Sequence, residues 1–162
     1  ALAPLDLPLP AMVGRINDLL YQNTSSDKFV TFFCGKLNPQ KKTLTYCNAG
    51  HNPPLILRNN GEIEYLTEGG LILGIMETLV PYQEATVSME KGETLLCYTD
   101  GVSEALNAEN EEFTEERLEL SLKKYGNLSA QEIVEGITKD VQDHAAGAPQ
   151  SDDITMLVTR CF

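Results

Sequence analysis

The sequence has few basic residues and no long apolar run, and both absences restrict what the protein binds. Twelve Lys and Arg residues stand against 24 Asp and Glu residues, which gives a formal net charge of −12 over 162 residues. A nucleic-acid partner normally requires a basic face, so this charge disfavours DNA, RNA and an anionic membrane surface. No apolar run approaches the roughly 20 residues of a spanning helix, so we expect no direct membrane insertion. The length suits one domain with a sizeable core.

Several sequence signatures of chemistry are also missing. The four cysteines lie in apolar or strand-like contexts and form no Cys-x-x-Cys pair; they are Cys34, Cys47, Cys97 and Cys161. Free thiols in a reducing cytoplasm are therefore favoured over zinc or redox use. The start of the chain lacks the basic region of a signal peptide. There is no Gly-Lys-Ser/Thr loop, no Gly-x-Ser-x-Gly elbow and no Gly-x-Gly-x-x-Gly fingerprint.

The apolar pattern predicts an α+β domain. Strand-like runs occur at residues 29–37, 43–48, 53–58, 62–67, 82–89, 93–99 and 154–160. Helical spacing is confined to a segment beginning at Pro10, to residues 114–125 and to a later segment. Gly126 is a plausible stop for the second helix, and Ser129 with Glu132 fits a capping box for the third. Successive hairpins followed by two helices and a returning strand indicate an α+β fold.

Two acidic pairs, each joined to an apolar strand, are the best candidates for chemistry. Asp100-Gly101 follows the run 94–99, and Asp152-Asp153 precedes the run 154–159. A carboxylate at the mouth of a buried strand is costly to desolvate without a positive partner. No Lys or Arg lies beside either pair in sequence, so Mg²⁺ or Mn²⁺ is the natural counter-charge. If the two strands are neighbours, Asp100 and Asp152 meet at one end of a sheet.

Each acidic pair also has an ordinary structural interpretation. Asp and Gly are common in turns that end strands, and that alone explains Asp100-Gly101. In the second pair, one Asp can cap the loop while the other points to solvent. On the functional interpretation Asp152 is a ligand, Asp153 accepts backbone hydrogen bonds, and Gly101 lets a metal-bound water approach the backbone.

The two histidines are weaker candidates. His51 lies in the stretch 48–54, Asn-Ala-Gly-His-Asn-Pro-Pro, and could act as a ligand or general acid. Because this stretch is rich in turn formers, a structural role that braces a glycine turn is favoured. His144 lies near a predicted helix end, where it can simply be solvated. The acidic run from Glu109 to Glu116 is interpreted as a solvated helix start.

Five segments, in this order, carry a resemblance to a known family. They are residues 29–31, residues 48–54, Leu-Gly-Ile at 73–75, Tyr-Thr-Asp-Gly-Val-Ser-Glu-Ala at 98–105 and Ser-Asp-Asp-Ile-Thr at 151–155. The series resembles the bacterial metal-dependent serine phosphatases of the SpoIIE/RsbU kind, a branch of the type-2C protein phosphatases. The resemblance runs from about Met12 to the end of the chain. Asn-Ala-Gly-His and Thr-Asp-Gly-Val-x-Glu-Ala are highly specific together.

The resemblance implies a fold, a cofactor and an activity. The fold would be a β-sandwich of antiparallel sheets flanked by helices, with two Mn²⁺ or Mg²⁺ ions at one end. By position, Asp100 and Asp152 would be metal-binding and catalytic residues, and Asp153 takes a place that Asn often holds in the wider family. Such enzymes hydrolyse phosphoserine or phosphothreonine on regulatory proteins, commonly anti-anti-sigma factors, through a water activated by two metals.

One part of the family pattern is absent. The first half of such a domain carries a Gly-Asp-x-x-Asp strand that supplies a carboxylate shared by both metals, and neither Asp6, Asp18 nor Asp27 matches it. Residues 1–162 are therefore predicted to form a single domain that lacks its N-terminal strands. We expect weak metal binding, little activity and a homodimer formed through open sheet edges. The alternatives are a non-catalytic β-sandwich module that binds a phosphorylated partner and an ordinary α+β interaction domain.

Overall fold

The computed structural model describes residues 7–25, 27–150 and 152–161. Asp6, and Ser151 of the last family segment, lie outside these ranges. The chain divides into two compact units, the first formed by residues up to 53 with 66–89, and the second by residues 54–65 with those from 90 onward. None of the described helices combines the length and apolar character that crossing a bilayer requires.

The described elements are one helix, seven strands, three helices and a final strand, and apart from the short helix Asp100–Ser103 and the short strand Gly69–Gly70 they follow the order that the apolar pattern predicts. The helices are α1 (Leu9–Asn23), α2 (Asp100–Ser103), α3 (Glu115–Tyr125) and α4 (Ala130–Ala145). The strands are β1 (Phe32–Asn38), β2 (Thr43–Ala49), β3 (Leu55–Leu57), β4 (Ile63–Tyr65), β5 (Gly69–Gly70), β6 (Ala85–Ser88), β7 (Thr94–Tyr98) and β8 (Met156–Arg160). The protein is therefore an α+β protein, as predicted.

The first unit is a helix packed against a small sheet. β2 pairs with β1 and β6 in antiparallel fashion and with the two-residue β5 in parallel fashion. The apolar stripe of α1 contributes Leu9 and Val13 to a core that also includes Cys47, Ala49, Leu73 and Tyr82. Burial of this stripe is the main reason that the segment is helical, because isolated helices of this length are marginal in water.

The second unit contains the larger core. Its four strands are antiparallel in the order β4-β3-β7-β8. The apolar faces of α3 and α4 are fully or almost fully buried at Leu118, Leu122, Ile133, Ile137 and Val141. The predicted capping box is confirmed: the Ser129 hydroxyl accepts a bond from the Glu132 amide, and the Glu132 carboxylate accepts one from the Ser129 amide.

Two sequence expectations need correction. The predicted succession of hairpins is broken at the turn 90–92, because β6 pairs with β2 of the first unit and β7 with strands of the second. Gly126 does follow the last residue of α3, but its φ of −59° is helical rather than left-handed. A Cβ at Gly126 would lie 2.1 Å from Leu57 Cδ2 and 2.8 Å from the Leu122 carbonyl oxygen, so close packing is what requires a glycine there.

Candidate metal centre

The two strands that carry the acidic pairs are neighbours. β7 and β8 are antiparallel, with Tyr98 opposite Met156. Asp100 lies two residues beyond the end of β7, and Asp152 lies four residues before the start of β8. Because antiparallel partners exchange ends, both acidic segments lie at the same end of this sheet. The two strands are therefore neighbours, as Asp100 and Asp152 require if they are to lie at one end of a sheet.

Thr99 joins the two acidic segments by three hydrogen bonds. Its amide donates to the Thr155 carbonyl oxygen at 3.1 Å. Its hydroxyl donates to the Asp153 carbonyl oxygen at 2.9 Å and accepts from the Thr155 amide at 3.0 Å. The hydroxyl is thus used to fix the loop before β8 and makes no side-chain cap for α2. Sequence reasoning missed this residue, although its place between β7 and Asp100 was visible.

Gly101 allows the backbones of the two segments to touch. A Cβ there would lie 2.5 Å from the Asp153 carbonyl oxygen, 2.9 Å from the Asp153 carbonyl carbon and 3.3 Å from that of Asp152. The first two distances are shorter than any side chain tolerates, so only glycine fits. The sequence interpretation assigned the space beside Gly101 to a metal-bound water, but the backbone of the Asp152-Asp153 segment occupies it.

The carboxylates themselves are exposed. Asp100, Asp152 and Asp153 all lie on the surface. Asp100 Oδ1 accepts a bond from the Gly101 amide at 3.0 Å, and Asp152 Oδ1 accepts one from the Asp153 amide at 2.7 Å. The expectation that burial makes these charges costly is therefore wrong, because the residues lie beyond the ends of the strands rather than within them.

The available ligands are of the chemical type that a hard divalent cation prefers, but there are too few of them. Exposed carboxylate oxygens are the ligands that Mg²⁺ and Mn²⁺ prefer. Within residues 7–25, 27–150 and 152–161, however, no group of three or more His, Cys, Asp or Glu side chains could hold a metal ion. Asp100 and Asp152 can contribute to such a site but are too few to enclose an ion.

His51 has the structural role that the sequence favoured. Its amide donates to Asn48 Oδ1 at 2.8 Å, and Asn48 Nδ2 donates back to the His51 carbonyl oxygen at 3.0 Å. The intervening Gly50 has a φ of +70°, and a Cβ there would lie 2.0 Å from Ile72 Cγ2. His51 Nδ1 lies 3.1 Å from the Thr31 hydroxyl. The backbone of His51 therefore braces this turn, and its ring connects the turn to Thr31.

His144 is not simply solvated. Its Nε2 lies 3.0 Å from the Glu111 carbonyl oxygen and its Nδ1 lies 3.3 Å from Arg117 Nη1. Its ring also packs edge-on against Phe113. The sequence pattern could not show this, because the loop before α3 folds back onto the end of α4. The first part of the acidic run belongs to that loop, and α3 begins only at Glu115.

The four cysteines all lie within the described residues, and none of them forms a disulfide bond. Cys47 is buried, and burial raises its pKa to about 11. Burial likewise raises the pKa of Cys97 to about 11 and that of Cys34 above its usual value. A thiol held in the protonated form is a poor nucleophile, so these three are unsuited to covalent catalysis.

Comparison with solved structures defines the class of protein. The SiaA-PP2C domain of Pseudomonas aeruginosa superimposes with a TM-score of 0.80 at 19% identity, over 93% of this chain and 60% of that domain. The RsbU and RsbW domains of Rv1364c from Mycobacterium tuberculosis give 0.75 at 23% identity, over 99% and 44%. RsbX in complex with magnesium gives 0.64 at 20% identity, over 95% and 65%. The fold is that of the type-2C phosphatase domains.

Sequence comparison then defines the family. The chain belongs to the family described as stage II sporulation protein E (SpoIIE), whose model matches residues 1–162. It is 30% identical over 156 residues to phosphoserine phosphatase RsbU of Bacillus subtilis, and this match covers 92% of this chain and 44% of RsbU. It is 35% identical over 130 residues to protein IcfG of Synechocystis, over 80% of this chain and 20% of IcfG. The chain thus spans less than half the length of either relative.

Proposed function

We propose that this chain belongs to a metal-dependent protein serine/threonine phosphatase and carries part of its catalytic centre. The observation that supports this most directly is the pairing of β7 with β8, which brings Asp100 and Asp152 to one end of a sheet. Membership of the SpoIIE family and 30% identity to a phosphoserine phosphatase support the same reaction. Residues 1–162 would then form part of one phosphatase domain.

In this proposal Asp100 and Asp152 are metal-binding and catalytic residues, with Gly101 and Asp153 as weaker candidates. Manganese or magnesium, two ions in the complete domain, would lower the pKa of a bound water and hold the phosphoryl oxygens. Asp100 and Asp152 would supply carboxylate oxygens, while Thr99 and Gly101 keep the two segments in register. One of the superimposable structures, RsbX, is a magnesium complex.

The substrate would be a phosphorylated regulatory protein. RsbU, a relative of this chain, is named a phosphoserine phosphatase, and a superimposable structure contains an RsbU domain together with an RsbW domain. By the family resemblance, the target would be an anti-anti-sigma factor or a protein of that kind. The reaction would take place in the cytoplasm, where the four cysteines, which form no disulfide bond, remain reduced.

The decisive experiment replaces one acidic side chain at a time. In the full-length protein, Asp100→Asn and Asp152→Asn should each reduce Mn²⁺-dependent hydrolysis of a phosphoserine peptide by at least about 100-fold, since each removes a carboxylate that the metals need. Asp143→Asn is a matched control, because Asp143 is an exposed acidic residue of α4 that pairs only locally with Lys139. Unchanged turnover in both site variants, with the fold intact, would refute the assignment.

The chain of residues 1–162 by itself should bind metal weakly. Mg²⁺ takes six oxygen ligands, and with two carboxylates most of them would be waters, which hold the ion in place only loosely. Calorimetric titration with Mn²⁺ should therefore give a dissociation constant well above the micromolar range. Micromolar binding together with turnover of p-nitrophenyl phosphate would contradict this expectation.

The alternative is a regulatory module that binds a phosphorylated partner without cleaving it. It is favoured by one observation, the lack of a third potential metal ligand near the pair among the described residues. The same Asp100→Asn variant discriminates between the two functions. An enzyme loses turnover, whereas a binding module shows no turnover at the start and keeps its affinity for the phosphoprotein.

A further inference from the structure

An uncharged cleft in the second unit adjoins Asp100 and Asp152, which are together called the acidic pair from here on. It has a volume of about 260 Å³, and its lining includes Gly101 and Ile154. Gly101 directly follows Asp100, so their Cα atoms are about 3.8 Å apart, and Ile154 is two residues from Asp152. The cleft therefore begins within one or two residues of each candidate metal ligand.

The lining of the cleft is made of apolar side chains and backbone. Ala105 and Leu106 follow α2, and Val141 and Ala145 come from the last turns of α4. Ala105 and Val141 are almost fully buried, so they form a floor that is already removed from water. Within the part of the chain that the structure describes, no Asp, Glu, Lys, Arg or His lines the cleft, although 22% of the sequence is charged.

The loop that follows α4 forms another wall, and it is tied to the acidic segment. α4 ends at Ala145, and the next two residues, Ala146 and Gly147, have φ values of +48° and +89° and turn the chain back. Residues 147–150 then line the cleft, and Gln150 Nε2 donates to the Asp152 carbonyl oxygen at 2.7 Å. The cleft and the acidic pair are thus parts of one connected surface.

We propose that this cleft receives an apolar side chain, of the leucine or methionine kind, that lies within three residues of the phosphoserine in the protein substrate. The proposal rests on the proposed function, because it assumes that the phosphate lies at Asp100 and Asp152. An extended peptide advances about 3.3 Å per residue, so a side chain one to three positions away spans the distance from the acidic pair to the cleft.

The chemistry of the lining favours this occupant over others. A charged or strongly polar ligand would lose its hydration without gaining a charged partner, because Gln142 and Gln150 are the polar side chains that line the cleft among the described residues. An apolar side chain loses no hydrogen bonds on entry and displaces water from carbon surface. The cleft would therefore select substrates by the residue next to the phosphoserine, while the acidic pair acts on the phosphate that all of them share.

The test uses the full-length protein with isotope-labelled methyl groups, Mg²⁺ to offset the charge of Asp100 and Asp152, and a set of heptapeptides. Each peptide has a central phosphoserine and a single leucine at one of the six other positions, and a matched peptide has Asn in place of that leucine. One leucine position should shift the NMR signals of Ile154, Leu106 and Val141, and the matched Asn peptide should bind at least about tenfold more weakly. Equal binding of all peptides, or silent methyl groups, would overturn the proposal.

Two variants with the same substitution provide the control. Ala145→Leu fills the cleft at the last residue of α4 and should abolish the preference for leucine. Ala130→Leu makes the same change at the first residue of that helix, outside the cleft, and should preserve it. If Ala145→Leu lowers the thermal unfolding temperature markedly, Ala148→Val in the loop replaces it. Equal behaviour of the cleft-filling and control variants would refute the proposal.

A separate measurement distinguishes failure of the cleft from failure of the phosphatase assignment. Hydrolysis of the same peptides is followed in the full-length protein with Mn²⁺. Leucine-dependent shifts of the methyl signals without hydrolysis of any peptide would support the role of the cleft and refute the phosphatase function. Hydrolysis of all peptides at one rate, with methyl signals that do not shift, would refute only the role of the cleft.

Discussion

Among single residues, Asp140 shows how one carboxylate holds two helices together. It lies on α4 and accepts hydrogen bonds from the Ser121 hydroxyl at 2.8 Å and the Tyr125 hydroxyl at 2.9 Å, both on α3. Lys124 Nζ adds an ion pair at 3.1 Å. Burial acts to raise the pKa of Asp140, but these three partners outweigh it, and the pKa is lowered. The charged form is therefore the one that stabilises the fold.

Replacing Asp140 by Asn should destabilise the protein in a pH-dependent way. A carboxyl whose pKa is depressed by folding stabilises the protein above its unfolded pKa of about 3.9, and this is lost as pH falls through the folded value. We expect a loss of about 1–2 kcal/mol at pH 7 that shrinks below about pH 4. Urea unfolding at both pH values measures this difference.

Asp143→Asn is the matched control for that prediction. Asp143 lies on the same helix, and its ion pair with Lys139 is exposed, so its loss should cost about 0–0.5 kcal/mol. If both variants lose the same stability at pH 7, or if the Asp140 variant shows no pH dependence, the interpretation of Asp140 is wrong.

Sequence reasoning located the acidic site but misjudged its surroundings. The position of Asp100 and Asp152 beside two apolar runs was visible, and the pairing of those runs confirmed their proximity. Their exposure was not visible, because it depends on how far beyond β7 and β8 each residue falls. Thr99 and the cleft were missed for a related reason: both depend on contacts between segments that are distant in sequence.

Two glycines in the interiors of helices should have opposite effects on stability when each is replaced by alanine. A Cβ at Gly14 of α1 would lie 3.5 Å from Thr78 Cγ2, which is ordinary contact. A Cβ at Gly136 of α4 would lie 2.7–2.8 Å from three ring atoms of Tyr125. That ring cannot easily move away, because its hydroxyl is bonded to Asp140.

Gly14→Ala should therefore stabilise the protein by about 0.5–1 kcal/mol, the usual gain for alanine within a helix. Gly136→Ala should destabilise it by about 1–3 kcal/mol, because the ring must be displaced. Equilibrium unfolding in urea compares the two variants directly. A gain at both positions would show that the Tyr125 ring adapts, and a loss at both would show that Thr78 does not.

The strands and helices differ in how well local sequence predicted them. The three long helices were predictable from the spacing of apolar residues and from the Ser129–Glu132 capping box. Pairing was less predictable, since the turn at 90–92 contains Gly92 with a φ of +94° and has the local sequence of a hairpin. The residues of the turn do not indicate that β6 and β7 belong to different sheets, because β6 pairs with β2 and β7 pairs with β3.

For the whole molecule, β1 forms one edge of the first sheet and β8 forms one edge of the second. These two strands each carry an exposed leucine, Leu37 at 46% and Leu157 at 62%. Such edges favour pairing between chains, whereas a net charge of −12 opposes it. Association should therefore depend on how strongly salt screens the charge.

We predict a dimer that becomes more abundant as ionic strength rises from about 0.01 to 0.5 M, as the screening length falls from about 30 Å to a few ångströms. Light scattering at high protein concentration measures the mass. Leu157→Lys should shift the equilibrium toward monomer. Leu120→Lys, at an equally exposed leucine of α3, should not. A monomeric mass in 0.5 M salt would contradict the prediction.

The hydrogen bond from Thr99 to Asp153 spans 54 residues, and this separation has a kinetic consequence. Ends so far apart meet late in folding, because closing a long loop costs entropy before any contact compensates for it. α3 and α4 lie inside that loop and can form from local contacts beforehand. During synthesis the candidate metal site would therefore be assembled only after β8 has left the ribosome.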